Sequence, residues 1–96
     1  MPSNSQVIYT RDALDDLTGI KSKRLRSDIR NRIIALSTFP QSGLIDSVVP
    51  PSEKDVEYRV TFVAPYAIRY SFIKTRSIVR IDAIANERSS TTIRFL

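Results

Sequence analysis

The sequence predicts an α+β domain in which a small antiparallel sheet carries two helices packed on one face, in the order strand, helix-helix pair, three strands. Three observations predict it. From Val56 to Ile84, apolar and polar residues alternate through three runs separated by Ala64-Pro65 and by Lys74-Thr75-Arg76. Before that, Leu25, Ile29, Ile33 and Leu36 recur at helical spacing. Near the start lies one short β-branched and aromatic run, QVIYT. A chain of 96 residues holds one modest core, so residues 1–96 read as one domain.

In chain order, Gln6 to Thr10 forms the opening strand, with Val7 and Tyr9, or Ile8 alone, facing the core. Thr10 caps a first helix, and Asp12 and Asp15 complement the positive end of its dipole. Leu14, Leu17 and Ile20, with Ala13 beside them, mark its apolar side, and Gly19 weakens its end. A break at Lys21-Ser22 precedes a second helix from about Lys23, antiparallel to the first. Phe39-Pro40 ends that helix, because the residue before proline is pushed out of helical geometry. The piece QSGLIDSVVPPSEKD reads as a connecting loop, long enough to suspect function and restrained by its prolines.

In the three later strands, alternation groups Val56, Tyr58, Val60 and Phe62 with Tyr66, Ile68, Tyr70 and Phe72, and with Val79, Ile81 and Ala83, on the core face. The opposite face then collects Arg59, Arg69 and Arg80, relieved by Glu57 and Asp82. Such arginines serve either to keep a sheet face wetted or to receive an anion or acidic partner, since unpaired guanidinium groups repel one another. After Ile84, the residues Asn86, Glu87 and Arg88 form a polar turn, and Ile93, Phe95 and Leu96 either fold back onto the body or fray.

The net charge of +5 and a pI near 10.0 favour a polyanion or an acidic protein partner over a neutral small molecule. Arg24, Arg26, Arg30 and Arg32 lie off the apolar stripe of the second helix, either as a solvated surface or as a docking face for an acidic segment. With no cysteine there is no disulfide, thiolate metal site or cysteine nucleophile. With no histidine, proton transfer falls to Lys, Arg, Tyr, Glu and Asp. No cofactor or metal is expected. The N-terminal MPSNSQ has no signal pattern, and no apolar run approaches the roughly 20 residues of a membrane span, so a cytoplasmic location is expected.

Taken together, the opening strand, YTRDALDDL, the helix ending IIALSTFPQSG, VEYRV, PYAIRYSF and VRIDAIANERS resemble, in order and spacing, the RelE/ParE superfamily of toxins from bacterial type II toxin-antitoxin systems. The resemblance covers nearly the whole chain. It implies a small basic toxin held inactive by a cognate acidic antitoxin encoded beside it, in a hetero-oligomer. RelE-like members cut messenger RNA in the ribosomal decoding site, whereas ParE-like members poison DNA gyrase and have no known hydrolytic site.

Carried over residue by residue, the nuclease pattern is only partly kept. Its two lysines on the first core strand correspond to Arg59 and Thr61, and its next-strand arginine to Ala67, with Arg69 further along. Its last-strand arginine corresponds to Asn86, with Arg88 two residues later, and no tyrosine follows Tyr70. Metal-free RNA cleavage needs a proton acceptor, cations for the phosphate and an acid for the leaving oxygen. Arginine supplies only the cations. Tyr66 and Tyr70 share the apolar face and read as core, which leaves Glu87 as the proton carrier of a nuclease built on Arg59, Arg69 and Arg88. The resemblance therefore leans to the ParE-like branch, with Arg59, Arg69, Arg80 and Arg88 as the target-binding set. Arg24, Arg26 and Arg30 are the candidates for antitoxin docking.

Overall fold

The computed structural model describes residues 4–46 and 55–88. Strand β1 (Gln6–Tyr9) leads into helices α1 (Arg11–Thr18) and α2 (Lys23–Thr38). Strands β2 (Leu44–Ile45), β3 (Val56–Val63), β4 (Tyr66–Ile73) and β5 (Ile78–Asn86) follow. They make one sheet in the order β1-β5-β4-β3-β2, antiparallel except that β1 runs parallel to β5. The α+β architecture matches expectation, and β2, within the segment read as loop, adds an edge strand.

Local signals set the helices. The Thr10 hydroxyl accepts from Ala13 N–H at 3.1 Å, and the Ser22 hydroxyl accepts from Leu25 N–H at 3.2 Å, so each helix starts on a side-chain cap. Gly19 closes α1, and Phe39, ahead of Pro40, closes α2. Ala13 and Leu17 of α1, with Ile20 after it, join Ile29, Ile33 and Leu36 of α2 in the core. Leu14, expected on the same stripe, is half exposed. Burying each large aliphatic residue contributes about 1.5–3 kcal/mol before entropy is counted. The helices lie over Ile68, Tyr70, Phe72, Val79, Ile81 and Ile84, with Val7 and Tyr9 of β1 packed against the edge of this cluster.

The face of β3 differs from the sequence reading. Ala64-Pro65 is a two-residue turn that sets Val63 opposite Tyr66, so odd positions of β3 pair with even positions of β4. Residues opposite one another share a face. Glu57, Arg59, Thr61 and Val63 therefore lie with Phe72, Tyr70, Ile68 and Tyr66 on the helix side, and Val56, Tyr58, Val60 and Phe62 lie on the open side. A second difference arises in β5. Arg69 opposes Ala83 and Tyr70 opposes Ile81, so Asp82 is an extra, bulged residue. Beyond it the alternation flips, turning Ile84 into the core at 5% exposure and Ala83 outward.

Polar contacts seat the helices on the sheet. Arg32 of α2 donates from Nη1 to the buried Thr61 hydroxyl at 3.1 Å. Beside the bulge, Asp16 of α1 accepts from Ile84 N–H at 3.0 Å, and the Thr10 hydroxyl donates to the Asp82 carbonyl at 3.2 Å. Among the described residues, no helix is long and apolar enough to cross a membrane. Pro50-Pro51, and Ile93, Phe95 and Leu96 with their expected return to the body, lie outside the described residues.

Candidate functional site

The open face of the sheet is the candidate site. Register arranges it in rows. Leu44, Val60, Arg69 and Ala83 lie across the strands in one, and Tyr58, Ser71, Arg80 and Ile8 in the next. Val56, Ile73 and Ile78 make a third, and Phe62, Ala67 and Ala85 a fourth. The face is thus chiefly apolar, with Ile8, Leu44 and Phe62 exposed and Val56, Tyr58, Ile73 and Ile78 half-buried. A cleft of about 520 Å³ runs over Ile8, Tyr58, Ile73, Arg76 and Arg80. An apolar surface of this kind, set with a few charges, marks an interaction surface more than a wetted one.

Arg69 and Arg80 on this face are already neutralised, whereas Arg76 beside the cleft has no carboxylate among the described residues. Arg69 donates from Nη1 to the buried carboxylate of Asp46 at 2.7 Å, reaching across β3 to the end of β2. Arg80 donates from Nε to Asp82 at 2.6 Å and from Nη2 to the Ser71 hydroxyl at 3.1 Å; Ser71 in turn donates to Asp82 at 2.5 Å. Arg59 is not on this face, as the β3 register requires. On the helix side it pairs with Glu57 at 3.0 Å and donates to the carbonyls of Gly43 at 2.6 Å and Gln41 at 3.2 Å. Its side chain is only 14% exposed. Burial of the Glu57 carboxyl opposes ionisation. The hydrogen bonds from Arg59 and Gln41 and the charges of Arg59 and Lys74 outweigh it and hold the group below its ordinary range.

The set Arg59, Arg69, Arg80 and Arg88 therefore does not converge. Arg69 and Arg80 are diagonal neighbours on the open face, and Arg59 serves the loop at 41–43 on the other side of the sheet. Arg88 and Glu87 follow β5, where Glu87 N–H donates to the Pro65 carbonyl at 2.9 Å. That places them at the β3–β4 turn, the end of the sheet marked by Phe62, Ala67 and Ala85.

The second-helix arginines also divide. Arg24 is nearly fully exposed and pairs loosely with Asp28 at 3.8 Å. Arg26 turns back to the carbonyls of Ile20 and Lys21 and so staples the turn between the helices. Arg30 is exposed and near Tyr9, whose hydroxyl burial pushes up in pKa while the Arg30 charge opposes the shift. Among the described residues, Lys21, Lys23 and Arg30 of the helical hairpin find no carboxylate, and neither do Arg11 at its start and Arg76 beside the cleft. No group of three or more acidic side chains among the described residues is placed to hold a metal.

Sequence reasoning missed Asp46 and Ser71. Asp46 is one acid in a long loop, and its tie to Arg69 depends on the register of a two-residue strand. Ser71 links Arg80 to Asp82 only because of the Asp82 bulge, which alternation does not reveal.

The fold is similar to that of a chain of the RelE-RelB complex of the archaeon Pyrococcus horikoshii, at TM-score 0.71 and 11% identity over 86% of this chain and 94% of that one. It is similar to a chain of the intact RelBE toxin-antitoxin complex of E. coli, at TM-score 0.62 and 12% identity over 85% and 95%. A toxin-antitoxin complex of Mycobacterium tuberculosis supplies a third likeness, at TM-score 0.62 and 17% identity over 86% and 98%. At these identities the likeness is one of fold. No curated protein matches the sequence. The family model described as the ParE toxin of the type II toxin-antitoxin system parDE matches residues 7–89, from the opening strand to past the end of β5. Through that match the chain belongs to the ParE toxin family of type II toxin-antitoxin systems.

Proposed function

We propose that the chain is a ParE-like toxin that arrests growth by binding DNA gyrase and blocking replication in the cytoplasm, and that a cognate acidic antitoxin neutralises it in a hetero-oligomer. The observation that carries this reading is the neutralisation of Arg69 and Arg80 on an otherwise apolar sheet face. Stabilising a phosphodiester transition state needs uncompensated cations and a proton carrier converging on one point. A mosaic of apolar side chains and satisfied ion pairs suits a protein partner instead. Two fold relatives are described as toxin-antitoxin complexes and a third as a RelE-RelB complex, which supports an antitoxin for this chain. The unbalanced charge of Arg30, Lys21 and Lys23, with the exposed Arg24, makes the helical hairpin its electrostatic docking face.

A second reading, a RelE-like ribosome-dependent mRNA nuclease, draws on the RelE fold relatives. Its residues would be Arg59, Arg69, Glu87 and Arg88. The geometry opposes it, because Arg59 faces the helices while Arg69 faces the open side. The test adds the purified chain to DNA gyrase with plasmid, and separately to ribosomes programmed with messenger RNA. Loss of supercoiling with intact message is expected. Message cut at the ribosome with supercoiling untouched overturns the proposal.

A further inference from the structure

The three sheet arginines are paired in different ways. Arg59 with Glu57, and Arg80 with Asp82, each join two positions of one strand, so those pairs persist as long as the strand does. Arg69 is different. Its carboxylate belongs to Asp46, 23 positions away on another element. Asp46 is held where it is by its N–H to the Tyr58 carbonyl at 2.8 Å, at the end of a two-residue edge strand. Both side chains of that strand, Leu44 at 66% and Ile45 at 60%, are exposed, so little apolar burial fixes the edge. Local opening draws on such weakly buried elements.

We propose that Arg69 is an exchangeable carboxylate site, occupied by Asp46 in the free chain and surrendered to an acidic side chain on an extended protein segment lying along the open face. This deepens the binding role proposed for that face and rests on it. The occupant is a protein carboxylate for two reasons. Asp46 already displays the contact, one carboxylate oxygen on Nη1 at 2.7 Å. The surroundings, Leu44, Val60, Tyr58 and Ala83, offer apolar contact to side chains flanking the acid, and the neighbouring Arg80 has its own carboxylate, so no field gathers there for a polyphosphate. The net charge of +5 favours the approach of an acidic segment.

The test follows the Arg69 Nε–Hε and Asp46 carboxyl-carbon resonances of the full chain by NMR. The probe is an acetylated five-residue peptide alternating valine with glutamate, compared with its glutamine counterpart and with inorganic pyrophosphate. On adding the glutamate peptide, both resonances should move along one binding curve, the Asp46 carboxyl towards the position of a free carboxylate. The glutamine peptide should leave both in place. Removing the internal competitor by Asp46→Asn should tighten glutamate-peptide binding roughly fivefold, the factor expected for losing one partly exposed ion pair. Failure of the peptide to bind, an Asp46 carboxyl unmoved at saturation, or an equal gain for pyrophosphate overturns the proposal. The unsubstituted chain carries the test should Asp46→Asn fail to fold. Growth arrest is scored in parallel: arrest without exchange overturns the exchange alone, and exchange without arrest supports it while overturning the toxin reading.

Discussion

Replacing Tyr70 with phenylalanine removes one oxygen from the centre of the molecule. Tyr70 is 1% exposed, and its hydroxyl accepts from Gly43 N–H at 3.0 Å while donating to the Pro40 carbonyl at 2.8 Å. One atom thus ties the segment after α2 to the middle of β4. The Gly43 N–H that would lose its acceptor is buried. Leaving such a group unpaired costs about 1–3 kcal/mol. In a domain of this size each kcal/mol moves the midpoint by about 4–8 °C, so Tyr70→Phe should lower Tm by about 10 °C. Thermal unfolding by circular dichroism measures it, and hydrogen exchange should show the Gly43 amide losing protection. A loss under about 2 °C with Gly43 still protected refutes the bridging role. The alkaline limb adds a check. Burial pushes the Tyr70 hydroxyl above 10.0, although its bond from Gly43 and the charge of Arg59 oppose the shift. Its share of stability is therefore complete below the unfolded value and is lost as pH rises through the folded one. Tyr70→Phe should flatten that decline, leaving the part due to Tyr9, whose hydroxyl is also raised.

Three further outcomes follow from the same contacts. A Cβ at Gly43 would stand 2.5 Å from the Tyr70 hydroxyl and 2.9 Å from the Val60 carbonyl, so Gly43→Ala should destabilise by about 1–3 kcal/mol; wild-type stability in urea contradicts this. Asp16→Ala strips the Ile84 amide of its acceptor beside the bulge and should cost about 1–3 kcal/mol by the same titration, with fluctuation concentrated where α1 meets β5. Glu57 is held below 4.5, so its contribution is complete above that value and lost as pH falls through the folded one. Glu57→Gln should flatten the acid limb of stability, and parallel acid limbs would count against the Arg59-Gln41 contacts.

Much of the fold was legible because its signals are local. Thr10 and Ser22 cap their helices through their own hydroxyls, and Pro40 stops α2, all within a few residues of the effect. The helix stripe at Ile29, Ile33 and Leu36, and the assignment of Tyr70 to the core, needed only periodicity. What was misread depended on register. A two-residue turn fixes the parity of β3 against β4, so the same alternation that groups Val56, Tyr58, Val60 and Phe62 says nothing about which side they take until the turn is counted. The bulge at Asp82 was hidden because Ala83 and Ile84 are both apolar and either can face inward. These two shifts dispersed the candidate site, moving Arg59 to the helix side and bringing Asp46, an acid with no sequence signal, onto Arg69. The helical hairpin fared differently. Its charge was legible, yet the role of Arg26 as a staple depends on two carbonyls in a turn.

The central claim is that the molecule acts by binding, with its sheet arginines satisfied, and not by cutting RNA. Induction of the chain alone in a bacterial host, with pulse-labelled DNA synthesis and protein synthesis followed in parallel, tests it most directly. A prompt fall in DNA synthesis with a DNA-damage response, ahead of any fall in translation, is the predicted result. A prompt fall in translation with DNA synthesis initially unchanged would contradict it.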